Sequence, residues 1–231
     1  MSSTLRTPNR STRRKLRTRD QLIRAAHQLM STKGVDETTI NEITELADLG
    51  FGTFYNYFSS KDGLAAQVLD CVIDDLGKRN DLATSTIKPK DPDAVQAISI
   101  RLTMREMMTN PMWRWWFNRP DLLVSRMHHQ FYKYGVRDLK ISIESSRYDI
   151  SIDDVDAVWS QQMWMLVGGI KEMLDDLNST MTETRLIETI MRAMGVPSAR
   201  ARELSKQKLP VLPKANIDFA FNADPELREV G

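Results

Sequence analysis

One cysteine, Cys71, in 231 residues excludes a disulfide framework and leaves no cysteine cluster to hold a metal. The three histidines, His27, His128 and His129, show no HxxxH or HExxH spacing, and the adjacent pair points to different sides of one helix, so no metal site is expected. There is no P-loop, no GxGxxG and no cysteine-histidine arrangement. The paired acids Asp153-Asp154 and Asp175-Asp176 are adjacent, hence on different helix faces, and cannot work together as acid and base. The chain therefore reads as a non-enzyme with no catalytic residue and no cofactor. No apolar run approaches the ~20 residues that span a bilayer, and the N-terminus lacks the apolar core of a signal peptide. A cytoplasmic protein without membrane contact is expected. Strand-like alternation is absent too, and the apolar residues recur at helical spacing, which indicates an all-α fold.

The net charge of +1 conceals an uneven distribution. Residues 1–24 carry Arg6, Arg10, Arg13, Arg14, Lys15, Arg17, Arg19 and Arg24 against Asp20 alone, a net of +7, so the remainder carries −6. Such a run is a solvated tail or a nucleic-acid arm, and the segment next to it in the chain decides between them. A basic arm attracts a duplex without regard to sequence, through counterion release.

That deciding segment is the stretch from Thr38 to Leu64. Thr39 and Glu42 form a capping box that starts a helix, Ile40, Ile43 and Ala47 give it one apolar stripe, and Asp48 tolerates the left-handed backbone that ends it. Gly50 opens a second helix, expected over Phe51–Tyr57, with Phe54 and Phe58 inward. Two short helices joined by a tight turn have the spacing of a helix-turn-helix. Gly50 and Gly52 leave backbone amides bare at a cost of roughly 1 kcal/mol each against alanine. Close approach of a phosphate or groove wall is the natural reason.

Ala47, Gly52, Thr53, Phe54, Tyr55, Asn56, Tyr57, Phe58, Lys61 and Leu64, read as AxxxxGTFYNYFxxKxxL, resemble the DNA-binding segment of TetR-family transcriptional regulators. The likeness extends back through Thr39 and Gly34 to Ala25, Ala26 and Leu29, and covers roughly residues 15 to 70. Asp48, Gly50 and Phe51 depart from the family's usual residues; Phe51 can only pack on a thymine methyl, not hydrogen-bond a base edge. The resemblance implies that Gly52, Thr53, Tyr55 and Asn56 face a groove, with Phe51 at its edge, while Thr39, Tyr57, Lys61 and the basic arm hold phosphates. Replacing Lys61 by alanine is then expected to weaken all DNA binding and flatten its salt dependence.

The organisation expected is a disordered basic arm over 1–12, a three-helix helix-turn-helix domain over 13–70, a larger helical ligand-binding and dimerisation domain over 71–195, and a tail over 196–231. The first helix is expected from about Arg13 or Arg19 to Lys33, capped by Gly34, and the linking helix from Lys61 to about Arg79. Further helices are expected near 93–109, 121–145, 153–177 and 182–194. Methionine and tryptophan crowd residues 104–165, a combination suited to an irregular lipophilic pocket and equally to plain core. Met108, Trp113, Trp116, Met127, Phe131, Trp159 and Met163 are the candidate lining residues. Apolar faces on 153–177 and 182–194 either finish the monomer core or, as the resemblance implies, form a homodimer interface. Two copies would read a near-palindromic double-stranded operator, since one short helix makes too few base contacts to select a site. The implied function is a repressor released by a small lipophilic effector. Two other readings stay open: a helical enzyme acting on a lipophilic substrate, and a non-specific architectural DNA-binding protein using the arm alone.

Overall fold

Basic residues with long unbranched side chains favour helix even without an apolar partner, and the first helix, α1 (Arg10–Lys33), starts earlier than its apolar stripe requires. The structure is a computed structural model that describes residues 10–87, 91–145, 148–176 and 179–221. Among them every regular element is helical. The chain forms two units, one of residues 1–71 with 218–231 and one of residues 72–217.

In the first unit, residues 10–12 of the expected arm are the first turn of α1, and residues 1–9 lie outside the described residues. Gly34 ends the helix at φ 88°, a left-handed conformation that only glycine adopts without strain. α2 (Ile40–Leu46) is next, and Asp48, at φ 55°, makes the turn. α3 is shorter than the sequence suggests: helix holds over Phe51–Phe54 and residues 55–57 form turns, as expected of a segment with two glycines and no tertiary cover on its outer face. α4 (Lys61–Thr84) contributes its first turns. Leu22, Ile23, Met30, Ile43, Phe54 and Leu64 are completely buried and form the core of the unit. Cys71 is also buried, and burial pushes its thiol up to about 12, so it is an inert packing residue.

Residues from the far end of the chain complete this unit. Phe219 is buried; its ring lies 5.2 Å from that of His27 and 4.6 Å beneath the Arg24 guanidinium. The Phe221 carbonyl accepts from Gln67 Nε2 at 3.0 Å. The tail is thus not a separate appendage.

The second unit begins within α4, which runs five residues past the expected end at Arg79. Its polar last turns are helical because they are held by tertiary contacts: Asn80 Nδ2 donates to the Ser99 carbonyl at 2.9 Å and to Thr103 Oγ1 at 2.8 Å. α5 (Pro92–Thr109), α6 (Pro111–Phe117) and α7 (Pro120–Glu144) each begin on a proline, whose missing N–H is no loss in a first turn. A 3-10 turn (Ile152–Asp154) leads into α8 (Val155–Asp175), then come α9 (Glu183–Ala193) and α10 (Ser198–Leu204). α8 packs on α7, and α9 on α8, α5 and α10. Gly169 permits the α8–α9 approach: a Cβ there would stand 2.4 Å from Leu186 Cδ1. Residues 205–217 continue along this unit, with Leu209 and Leu212 against Ala83, Ile98 and Leu102 and the Asn216 amide donating to Asp75 Oδ1 at 3.0 Å.

Phe219→Ala removes the ring that covers His27 and Arg24, and should destabilise the first unit by about 2–4 kcal/mol, the range for a large side chain lost from a core. Hydrogen exchange of the α1 and α4 amides should show faster opening, while the amides of α8 and α9 keep their protection.

Candidate DNA-contact surface and internal cavity

The helix-turn-helix is fixed by two sets of polar contacts. Thr39 Oγ1 accepts from the Glu42 amide at 3.3 Å, and the Glu42 carboxylate accepts from the Thr39 amide at 2.9 Å, completing the capping box. Lys33 Nζ donates to the same carboxylate at 2.6 Å. That bond first, and the bonds from Thr39 next, hold the Glu42 carboxyl at about 2. The second set converges on Lys61, whose ammonium donates to the carbonyls of Val35, Asp36 and Thr38 at 2.8, 3.2 and 2.9 Å. By sequence this lysine is expected on phosphate. Its charge instead ties the start of α4 to the loop before α2, because three backbone acceptors with no helical partner lie within its reach. Thr39 is committed as well, since its hydroxyl also donates to Glu42 Oε2 at 2.7 Å.

Past these anchors the unit presents an outer ridge. Phe51 and Tyr55 are 51% and 55% exposed, too much for core residues, and their rings meet edge to face at 5.8 Å. Gly52 and Asn56 are exposed and Thr53 and Tyr57 half-buried, while Phe54 and Phe58 point inward. A Cβ at Gly52 would meet nothing within 4 Å, so the protein's own packing does not demand glycine there. Thr12, Lys15, Leu16 and Arg19 of α1 line one open groove with Asn56 and Tyr57. The basic face of α1 and the ridge are therefore neighbours.

In the second unit, α4, α5, α7 and α8 line a half-open cavity of about 60 Å³. Phe131, Trp159, Met163 and Leu166 form its apolar wall; Asn80, Gln96, Thr103, Tyr134 and Gln162 contribute polar groups. Trp159 Nε1 donates to the His128 carbonyl at 3.0 Å, which fixes the ring among the lining residues. The ring approaches α7 closely because residue 135 is glycine: a Cβ there would fall 2.0 Å from Trp159 Cζ3. Arg137 joins Asp81 at 2.7 Å and Asp138 at 2.8 Å at the polar end. Of the expected lining residues, Phe131, Trp159 and Met163 meet here. Trp113, Trp116 and Met127 are buried elsewhere in the core, and Met108 lies at the surface, 38% exposed, because Met104 and Met107 take the inward positions of α5. The polar lining from α4 and α5 carries no signal of its own in the sequence, where only large apolar residues mark a pocket.

Residues 22–68 match the family profile of bacterial regulatory proteins of the tetR family, and residues 91–207 match that of the tetracyclin repressor-like C-terminal domain. The chain belongs to the TetR family. It is 35% identical over 100 residues to the HTH-type transcriptional regulator TcmR of Streptomyces glaucescens, a match that spans 42% of each chain. It is also similar to RolR, solved in complex with its ligand resorcinol: TM-score 0.79, 29% identity, 88% of this chain and 100% of that one. RolR solved without ligand superposes with a TM-score of 0.75 at 28% identity, over 84% and 99% of the two chains. TetR-family regulators bind DNA through this helix-turn-helix and form homodimers. Among the described residues no helix is long and apolar enough to cross a membrane, and no cluster of three or more His, Cys, Asp or Glu could hold a metal ion.

Glu42→Gln keeps the capping geometry and removes only the charge. The depressed carboxyl stabilises the fold fully above its ordinary value of 4.5, and the contribution is lost as pH falls towards 2. Thermal melts should show the native protein ahead of Glu42→Gln at pH 7 and the difference gone near pH 2. Lys61→Met should cost about 1–3 kcal/mol of stability, as for buried hydrogen bonds to a charged group. The slope of log affinity against log salt should stay unchanged, where a phosphate-binding lysine would reduce it by about one.

Proposed function

We propose that this protein is a dimeric, sequence-specific repressor whose effector is a small hydroxylated aromatic ring. The observation that supports the DNA part best is the exposed Phe51–Tyr55 ridge flanked by the basic face of α1. Two large aromatic side chains stay more than half exposed on a capped and lysine-pinned scaffold although Tyr55 also meets the buried Phe54 ring edge to face at 5.2 Å, and a duplex groove can cover them. Gly52, Thr53, Tyr55 and Asn56 face base edges, and Phe51 packs on a thymine methyl. Phosphate contacts fall to Tyr57, with a lesser share for Thr39, and to the exposed basic residues of α1, among them Arg14, Lys15 and Arg17. Lys61 acts by positioning.

Dimerisation is supported by the outer face of α8. Gln161, Trp164, Met165 and Gly168 follow helical spacing; Trp164 is 45% exposed, and nothing stands within 4 Å of a Cβ built at Gly168. The helical pair expected from the sequence, 153–177 and 182–194, corresponds to α8 and α9, whose outer groove is lined by Val158, Met165, Ile190 and Met194. An isologous pairing of this face covers the tryptophan and presents two reading units to a near-palindrome.

The effector reading rests on the cavity and on the likeness to RolR. About 60 Å³ admits no more than a single small ring, since ~10–15 Å³ already holds a water. The accessible lining is mostly apolar, with Asn80, Gln96, Thr103 and Gln162 among its few polar residues, which suits an apolar ring that carries a polar edge.

A site selected from a random DNA pool should be a near-palindrome, and resorcinol should release it. Trp164→Glu should sediment as a monomer and bind that site at least tenfold more weakly. Binding without sequence preference would instead support the architectural reading, and turnover of the phenol an enzyme.

A further inference from the structure

Gln67, Cys71, Asp75 and Arg79 recur every four residues along α4, so they form one stripe of that helix, and all of them are buried. The main chain of the tail lies on this stripe. Arg79 Nη1 donates to the Pro213 carbonyl at 3.3 Å, and the Asn216 amide donates to Asp75 Oδ1 at 3.0 Å. Gln67 Nε2 donates to the Phe221 carbonyl at 3.0 Å, and Cys71 Sγ to the same oxygen at 3.8 Å. As the tail advances from 213 to 221 its partners recede from 79 to 67, so it runs antiparallel to the helix. Residues 213–217 are neither helix nor strand, and their backbone groups need partners from elsewhere. The buried polar side chains of α4 need partners equally, and each set satisfies the other.

Both ends of the stripe are oriented for this task. Asp75 Oδ2 accepts from Arg79 Nε at 2.6 Å, which leaves Oδ1 to the tail amide. Arg19 Nη2 can only donate, so Gln67 turns Oε1 to it, at 2.5 Å, and Nε2 to the Phe221 carbonyl. Arg19 lines the open groove beside Asn56 and Tyr57. A chain of hydrogen bonds therefore leads from the tail through Gln67 to the candidate DNA-contact surface. The cavity residues Gly77, Asn80, Asp81 and Thr84 fall on the other side of α4, at about 100° per residue.

We propose that residues 213–221 are a strap that makes the two ends of α4 open together, and that DNA affinity depends on this strap. The proposal rests on the helix-turn-helix as the DNA-binding element and not on the cavity as an effector site. The boundary between the two units falls after Cys71 in α4 and after Ile217 in the tail, and the strap is fastened to α4 before and after it. Releasing one fastening leaves a buried group of α4 unpaired and loosens the segment that carries the next. Opening at one end of the stripe is thereby passed to the other.

Hydrogen exchange and DNA binding of the full-length chain test this. Asn216→Pro deletes the amide that Asp75 accepts, whereas Asn216→Ala keeps it and removes only an exposed side chain. In the proline variant the amides of residues 64–71, at the far end of the stripe, should exchange about tenfold faster, as should those of 22–30 in α1, while α8 keeps its native rates. Affinity for a mixed-sequence duplex of about 30 base pairs at low salt should fall at least threefold. The alanine variant should match the native protein in both measurements. Gln67→Glu still accepts from Arg19 but turns a carboxylate oxygen to the Phe221 carbonyl, and should speed exchange at residues 75–80 by a similar factor. That variant carries the test should the proline variant fail to fold. Loosening confined to the residues next to either substitution overturns the strap, as does native affinity for the duplex in both loosened variants. A native protein that does not bind the duplex overturns the DNA reading and the strap's part in affinity, and exchange still decides whether the ends of α4 open together.

Discussion

Three carbonyl oxygens, of Val35, Asp36 and Thr38, converge on the Lys61 ammonium, and the position of the reading ridge depends on that convergence. The loop before α2 has no helix to satisfy its acceptors, and a lysine at the start of α4 supplies all three from one atom. α2 is thereby held at its N-terminus by both the capping box and the lysine, while Ile43 and Phe54 seat it and α3 on the core. A four-residue helix such as α3 has almost no stability of its own. Its outward aromatic residues stay outward because everything beneath them is anchored elsewhere.

The same helix that begins at this anchor carries Gly77, Asn80, Asp81 and Thr84 to the cavity wall. Both glycines at the wall serve packing: Gly77 lets the Tyr134 and Phe131 rings approach α4, and Gly135 lets Trp159 lie against α7. These close approaches bring apolar ring faces opposite amide groups.

What can be read from the sequence is local. The capping box, the left-handed Asp48 and Gly34, and the prolines that open α6 and α7 depend on neighbours three or four residues away, and the helix-turn-helix is built from them. Contacts across longer separations cannot be read in the same way. Lys61 reaches carbonyls 23 to 26 residues back, and nothing in its own neighbourhood distinguishes that from a phosphate contact. Asn80 resembles a loop residue because polarity ends most helices; Ser99 and Thr103, about twenty residues on, hold it in a buried helical turn. The course of the tail cannot be read for the same reason, since Phe219 meets His27 and Arg24, which lie far back in the chain. Tryptophan and methionine at helical spacing indicate burial but not which buried space is empty, which is why Trp113 and Trp116 fill core while Trp159 borders a cavity.

The basic face of α1 and the negative remainder of the chain divide two electrostatic tasks that would otherwise conflict. Attraction to a polyanion acts over about a Debye length, 8–10 Å at ordinary salt, and needs positive charge next to the reading ridge. The cavity lies in the net-negative remainder of the chain. There Arg137, itself 46% exposed, is paired with Asp81 and Asp138, and the other polar lining groups are amides and hydroxyls. Hydrogen bonds in a partly buried cavity depend on geometry and are little affected by the salt that governs DNA affinity. A change in ionic strength can therefore shift how tightly such a regulator holds its operator without changing which small molecule it recognises.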